Sequence, residues 1–157
     1  MFTKSRISRV GKSETAQCKV RIQGLLRMIV IQRDGGCFAR FYPDMGECGP
    51  YRNDGELILQ FDHLNTRLRN ISYGDSRLGV CVCPNHHYHH HNNMRAVHPK
   101  VWERYMENVK KFIGASRVRL LESVQEDTKS YQMGLWDWVK VEMALKGELA
   151  SLVVGDR

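Results

Sequence analysis

The residues best suited to chemistry lie between Asp62 and His91, where a carboxylate and several imidazoles follow short apolar segments. Asp62-His63 closes the run 56–61, whose β-branched and apolar content predicts a short strand. His87 and His91 are four residues apart, so on a helix their imidazoles share one face and can bind one cation. Asp62 can supply a third ligand, and the spacing therefore predicts a divalent metal site.

Two further elements are needed to position these groups. Residues 78–83 form a second short apolar segment, which predicts another strand. Pro84 follows it and suits the first turn of the helix that carries the histidines. The order of strand, loop, strand and helix predicts a compact unit with the carboxylate at a strand end and the imidazoles on the helix.

A second group of candidate ligands consists of cysteines and one histidine. Cys83 and His86 are separated by two residues, which is the knuckle spacing of a structural zinc site. Cys37 and Cys48 can supply the other two ligands of a tetrahedral Cys3His site. The ten residues between these two cysteines exceed the usual two to four of a knuckle, so this half of the pattern is less specific.

Length and charge limit the classes of protein to consider. A chain of 157 residues with 42% hydrophobic and 26% charged residues is typical of one globular domain. The excess of 24 Lys and Arg over 17 Asp and Glu gives a net charge of +7, with a pI near 9.3. This charge favours a polyanionic partner, with nucleic acid as the first candidate. The alternative is that the charge only maintains solubility.

The sequence also predicts a compartment. Its apolar runs are shorter than the roughly 18 to 20 residues of a membrane span, so no membrane partner is expected. The N-terminal residues lack the apolar core of a secretory signal, which favours a cytoplasmic protein. In a reducing compartment the five cysteines are expected to be thiols or metal ligands. Cys18 and Cys81 are interpreted as small buried apolar residues.

Four segments follow from the pattern of apolar and basic residues, and the fold class they predict is α+β. The first is a basic arm, which either lies along phosphates or is a disordered terminus. Helices are expected after Ser13 or Thr15, after Pro99, after Ser116 and over residues 135–152. The segments are the arm 1–12, an N-terminal helix within 13–36, a ββα core over 37–95 and a helical region over 96–157.

Asp62-His63, the segment 79–87 and His91 together resemble the HNH endonuclease motif, also called the ββα-metal fold. The resemblance covers roughly residues 33–93. This segment is similar to family members found in phages and other mobile elements, in which a zinc knuckle often frames the site. It implies that His63 is the general base. It further implies that Asp62, His87 and His91 bind one divalent cation (Mg, Mn, Co or Ni), so that His63, Asp62 and His87 form the catalytic set.

The chain departs from the motif at two positions. Leu78 stands where the motif has Asn, so another polar residue such as Asn70, Asp75 or Ser76 is expected to take that role. His86 stands where members with zinc usually have Cys, and neutral imidazole also binds zinc well.

The function that follows is hydrolysis of DNA phosphodiester bonds by a bacterial or phage-encoded nuclease. Arg67, Arg69 and Arg77 are candidate phosphate contacts, whereas His89 and His90 are expected to contact substrate or lie at the surface. The alternatives are a zinc-stabilised DNA-binding module without catalysis and a simple metal-binding tract at 86–91. Cleavage specificity and a possible homodimer stay open.

Overall fold

A computed structural model describes residues 13–65, 70–127 and 131–155, with only the backbone described at 70 and 71. Within these ranges the chain forms α-helices and one two-stranded antiparallel sheet, in agreement with the predicted α+β class. The elements in chain order are α1 (Glu14–Asp34), β1 (Gln60–His63), α2 (Asn70–Tyr73), β2 (Gly79–Val82), α3 (Pro84–His90), α4 (Met94–Val97), α5 (Pro99–Glu126) and α6 (Leu135–Gly155).

The sheet is shorter than the sequence predicts. Leu57 pairs with Tyr51 in an isolated bridge, so the run 56–61 turns back on the preceding loop before β1 begins at Gln60. The strands pair with Asp62 opposite Val80, and His63 lies opposite Gly79. Asp62 and His63 therefore occupy the end of β1, where the sequence predicts them.

Side chains alternate between the two faces of the sheet, and each face has its own apolar cluster. Phe61 and Cys81 belong to the cluster formed with α1 and α6. Val80 and Val82 belong to the cluster formed with α5 and the turn at Phe38–Phe41. Burial of Cys81 among apolar residues confirms its interpretation as a structural side chain. The small sheet thus lies between two helical layers.

Helix α1 begins and ends where local chemistry predicts. Of the two candidate caps, Ser13 is the one used, because its Oγ accepts the Ala16 amide at 3.2 Å. Gly35 closes the helix in the left-handed region at φ 66°. Beyond α1, the predicted break in the C-terminal region is present as a kink, because Gly114 at φ 78° interrupts α5.

Polar contacts dock α1 and α5 onto β2. Asp34 is buried at the end of α1 and accepts the Cys81 amide at 2.9 Å. Arg33 donates to the Ser76 and Gly79 carbonyls, each at 2.9 Å. Arg117 of α5 also donates to the Gly79 carbonyl, at 2.6 Å. These hydrogen bonds satisfy backbone groups of β2 and of the turn before it. They hold β2 in place directly before α3, the helix that carries the histidines.

A buried carboxylate joins α6 to α1. Glu142 has a side chain only 8% exposed and pairs with Arg21 at 3.0 Å and with Lys146 at 2.8 Å. The Cys18 thiol donates to the same carboxylate at 3.2 Å. Hydrogen bonds from Arg21 and Lys146 lower the pKa of Glu142 to about 2. Cys18 is therefore buried, as predicted, but with a polar partner.

The aromatic residues of α6 divide between the core and the surface. Trp138 is 1% exposed and packs under α1, whereas Trp136 is 76% exposed. The helix extends to Gly155, slightly beyond the predicted end. Among the helices of the described ranges, none is both long enough and apolar enough to cross a membrane.

Candidate metal centres and catalytic site

Asp62 is the centre of the first cluster. It is fully buried, and its Oδ1 lies 2.6 Å from Nε2 of His91 and 3.4 Å from Nε2 of His87. One ligand atom from each of the three residues lies within 4.8 Å of the others. The structure therefore brings together the three residues that the sequence predicts as ligands of a divalent cation.

The nitrogen of His87 supports the fit of a cation to this cluster. Nε2 of His87 is buried, and apart from the long 3.4 Å contact with Oδ1 of Asp62 it makes no hydrogen bond within the part of the chain that the structure describes. Leaving a buried polar atom without a partner is unfavourable. A cation bound by Asp62, His87 and His91 would satisfy this nitrogen, and mixed carboxylate and imidazole ligands suit Mn, Co or Ni as well as Mg.

Two further side chains hold the second oxygen of Asp62. The Tyr105 hydroxyl donates to Oδ2 in a short hydrogen bond, and His90 Nδ1 lies 2.9 Å from the same oxygen. The Tyr105 and His90 rings stack with centroids 5.3 Å apart and an interplanar angle of 10°. Oδ2 is thus held by Tyr105 and His90, while Oδ1 faces His87 and His91 and also lies 3.1 Å from Nδ1 of His90.

The position of His90 differs from the sequence prediction. Its side chain is only 12% exposed and contacts Asp62, so it is neither a surface residue nor directed at substrate. A shared face for His87 and His91 requires a helix that continues past His91, but α3 ends at His90, and His91 is extended at φ −105° and ψ −166°. Tyr105 lies on α5, far along the chain from Asp62, so the sequence does not predict its contact with this carboxylate. A buried phenol requires a hydrogen-bond partner, and that requirement was the available signal.

Neighbouring groups keep Asp62 ionised. Burial by itself raises the pKa of Asp62, but the electrostatic interaction with His90 and hydrogen bonds from His87, His90 and His91 outweigh it, so the pKa lies well below its usual range. Burial and the neighbouring Asp62 charge raise the pKa of Tyr105 well above its ordinary value. The pair is therefore a carboxylate with a protonated phenol donor.

His63 is the next residue of β1, and its tautomer follows from its hydrogen bond. Nε2 lies 3.2 Å from the Tyr73 carbonyl oxygen, which can only accept. Neutral imidazole with its proton on Nε2 carries a lone pair on Nδ1. The Phe61 ring packs against His63 with centroids 4.6 Å apart. A Cβ at Gly79 would overlap that ring, so glycine is required opposite His63.

The residues proposed to replace the motif Asn have other described partners where their side chains are described. Leu78 is 2% exposed, and its carbonyl accepts the Leu64 amide at 2.9 Å. Asp75 pairs with Arg77 at 2.7 Å, and the Ser76 hydroxyl donates to Glu148 at 2.6 Å. The side chain of Asn70 lies outside the described part. The Tyr73 carbonyl contacts the imidazole of His63.

The Cys3His residues form the second cluster. Nδ1 of His86 lies 3.0 Å from Cys83 Sγ, 3.5 Å from Cys37 Sγ and 3.8 Å from Cys48 Sγ. His86 Nε2 lies 3.2 Å from the Met45 carbonyl, which fixes the proton on that nitrogen and turns Nδ1 toward the sulfurs. This group can hold a metal ion such as zinc.

The thiols of this cluster differ in acidity. A hydrogen bond from Cys37 and the contact with His86 lower the pKa of Cys83 to about 3. The hydrogen bond to Cys83 and burial raise the pKa of Cys37. A thiolate beside an imidazole is the donor set that zinc prefers. The cluster joins the start of α3 to the turns around Met45, and so anchors the helix that carries His87.

Of the three predicted phosphate contacts, only Arg77 lies within the described residues, because Arg67 and Arg69 fall outside them. Arg77 pairs with Asp75 and lines a cavity beside Glu148, which is separate from the groove shared by His63 and His87. The basic arm 1–12 also lies outside the described part.

Neither models of protein families, nor curated proteins, nor solved structures match the chain.

Proposed function

We propose that the protein is a divalent-metal-dependent DNA endonuclease of the HNH type. One observation carries the proposal: Asp62, His87 and His91 converge in space, and His63 is the adjacent residue at the same strand end. These are the positions at which the HNH resemblance implies the metal ligands and the general base.

Each residue has a separate task in the hydrolysis. His63 accepts a proton from the attacking water, because a neutral imidazole is an effective general base near neutral pH. The Tyr73 carbonyl holds the imidazole ring through its Nε2 proton. Asp62, His87 and His91 would hold the divalent cation. When bound, this cation supplies Lewis acidity that offsets negative charge on the phosphate and the leaving oxygen.

The Cys3His group supports this assignment as a structural zinc site. Cys83 is the N-cap residue of α3, and His86 precedes His87 within this helix, so a metal there would limit movement of the catalytic ligands. The net charge of +7 supports a polyanionic substrate.

The second candidate is a zinc-stabilised DNA-binding module without catalysis. Leu78 favours it, because an apolar buried residue stands where the HNH motif has a polar one. This module would retain both metal clusters and DNA affinity, and it would lack hydrolysis.

Cleavage of supercoiled plasmid distinguishes the two. Wild type, His63→Ala and the control His98→Ala, which alters an exposed histidine outside both clusters, are freed of metal and then assayed with Mg²⁺, Mn²⁺ or Ni²⁺. We expect cutting by wild type and His98→Ala only. If wild type binds plasmid and branched DNA but cuts neither with any metal, the binding module replaces the nuclease.

A further inference from the structure

A groove of about 570 Å³ opens beside the catalytic histidines. His63 and His87 line it on one side, and Gly24 and Arg27 of α1 line it on the other. Arg52, from the loop before β1, also lines it. The groove therefore connects the proposed general base and one metal ligand with a helix outside the ββα unit.

Charge in the groove favours an anion. Among the described residues that line it are two arginines and no acidic side chain. Arg27 is exposed on α1. Arg52 lies 3.6 Å from Glu56, but both side chains are largely exposed, at 49% and 73%, so this pair is weak and Arg52 can exchange it for a phosphate.

The glycine at position 24 is a second, independent indication that the groove accommodates a ligand. It lies inside α1, between the buried residues Ile22 and Leu25, where glycine is a poor helix former. A Cβ at Gly24 would meet nothing within 4 Å, and the backbone does not need a positive φ there. Neither packing nor conformation therefore explains the glycine, whereas its absent side chain keeps the wall of the groove low.

We propose that this groove holds the sugar-phosphate backbone of the nucleic-acid substrate, with Gly24 providing space and Arg27 and Arg52 contacting phosphates. The assignment rests on the proposed nuclease function. It places the substrate between α1 and the catalytic strand. Each of these two arginines then contributes to the salt dependence of DNA affinity, because each neutralised phosphate releases counterions.

A matched pair of glycine variants tests the space. Gly147 of α6 is also a helical glycine whose Cβ would meet nothing within 4 Å, and it lies outside the groove. Gly24→Leu and Gly147→Leu are compared in a His63→Ala background by fluorescence anisotropy with a labelled DNA duplex. We expect roughly tenfold weaker binding for Gly24→Leu alone, with equal helicity and thermal stability of the two variants.

Arginine variants test the charge and do not depend on how Gly24→Leu folds. Arg27→Ala and Arg52→Ala should each weaken binding and reduce the slope of log K against log salt by about 1. Arg119→Ala, an exposed arginine of α5 outside the groove, should leave the slope unchanged. Equal slopes for all three variants would overturn the role of the arginines.

The outcomes separate this assignment from the nuclease. If the wild type cuts DNA and Gly24→Leu cuts and binds like Gly147→Leu, the groove assignment is wrong and the nuclease stands. If the wild type never cuts but Gly24→Leu and the groove arginine variants still lose DNA affinity, the groove is supported and the nuclease fails.

Discussion

Removing the hydroxyl of Tyr105 is the most informative perturbation of the candidate metal centre at Asp62. Tyr105→Phe keeps the ring that stacks on His90 and packs against Phe38, with centroids 5.3 Å away in both pairs. It removes only the donor to Oδ2 of Asp62. The carboxylate is fully buried, so water cannot easily replace that donor.

The size of the effect follows from the charge of the acceptor. A hydrogen bond to a buried charged group contributes about 1.5–3 kcal/mol to stability. His90 still donates to the same oxygen, which places the expected loss near 2 kcal/mol. For a chain of this length that loss corresponds to a fall of roughly 4–8 °C in Tm. Metal affinity should also fall by about 10–100-fold, because the carboxylate is no longer held in one orientation.

The assay has two readouts. Urea unfolding in chelator, followed by tryptophan fluorescence, measures stability without the cation. Calorimetric titration with Mn²⁺, together with the visible spectrum of bound Co²⁺, measures the site itself. Tyr88→Phe is the control, because Tyr88 lies on α3 but is 53% exposed. If Tyr105→Phe matches wild type and Tyr88→Phe in both measurements, the hydrogen bond to Asp62 does not support the centre.

Three more predictions concern the scaffold. The pKa of Glu142 is about 2 in the folded protein and 4.5 ordinarily, so its stabilisation is complete above pH 4.5 and is lost as pH falls toward 2. Glu142→Gln should lower the free energy of unfolding by about 1–2 kcal/mol at pH 7, because solvent screens its half-exposed partners and reduces the effect. Near pH 2 the substitution should change it by almost nothing, and urea unfolding at the two pH values measures both. Cys37→Ala should abolish zinc binding, as measured by elemental analysis, whereas the control Cys81→Ala at an equally buried position should leave it intact. Equal zinc content in the two variants would exclude Cys37 as a ligand. Gly79→Ala should lower the free energy of unfolding by about 1–3 kcal/mol, because the added Cβ overlaps the Phe61 ring. The control Gly147→Ala should raise it by up to about 1 kcal/mol. An unchanged free energy of unfolding in Gly79→Ala would show that the ring moves freely.

Local chemistry determined the features that sequence predicted well. The Ser13 cap and the Gly35 terminus of α1 depend on residues within one helical turn. Pro84 at the start of α3 and the Cys83 to His86 spacing are equally local. Such features can be predicted because the atoms involved are already close along the chain, whatever the rest of the fold does.

Strand lengths were predicted less accurately, because pairing decides them. Residues 56–61 have strand composition, yet Leu57 pairs with Tyr51 and only Gln60 onward pairs with β2. The partner of a strand lies far away in sequence, so composition alone cannot define where pairing starts.

Tertiary packing alone decided how the centre is held. Tyr105 reaches Asp62 across 43 positions of sequence, and α5 must first dock on the sheet to bring the hydroxyl to the carboxylate. Arg27 likewise meets His63 at one groove only because α1 packs beside β1. The sequence by itself determined the types and local spacing of the reactive groups. Their partners depended on burial, because an isolated carboxylate cannot be buried without donors, and only the packed helices supply them.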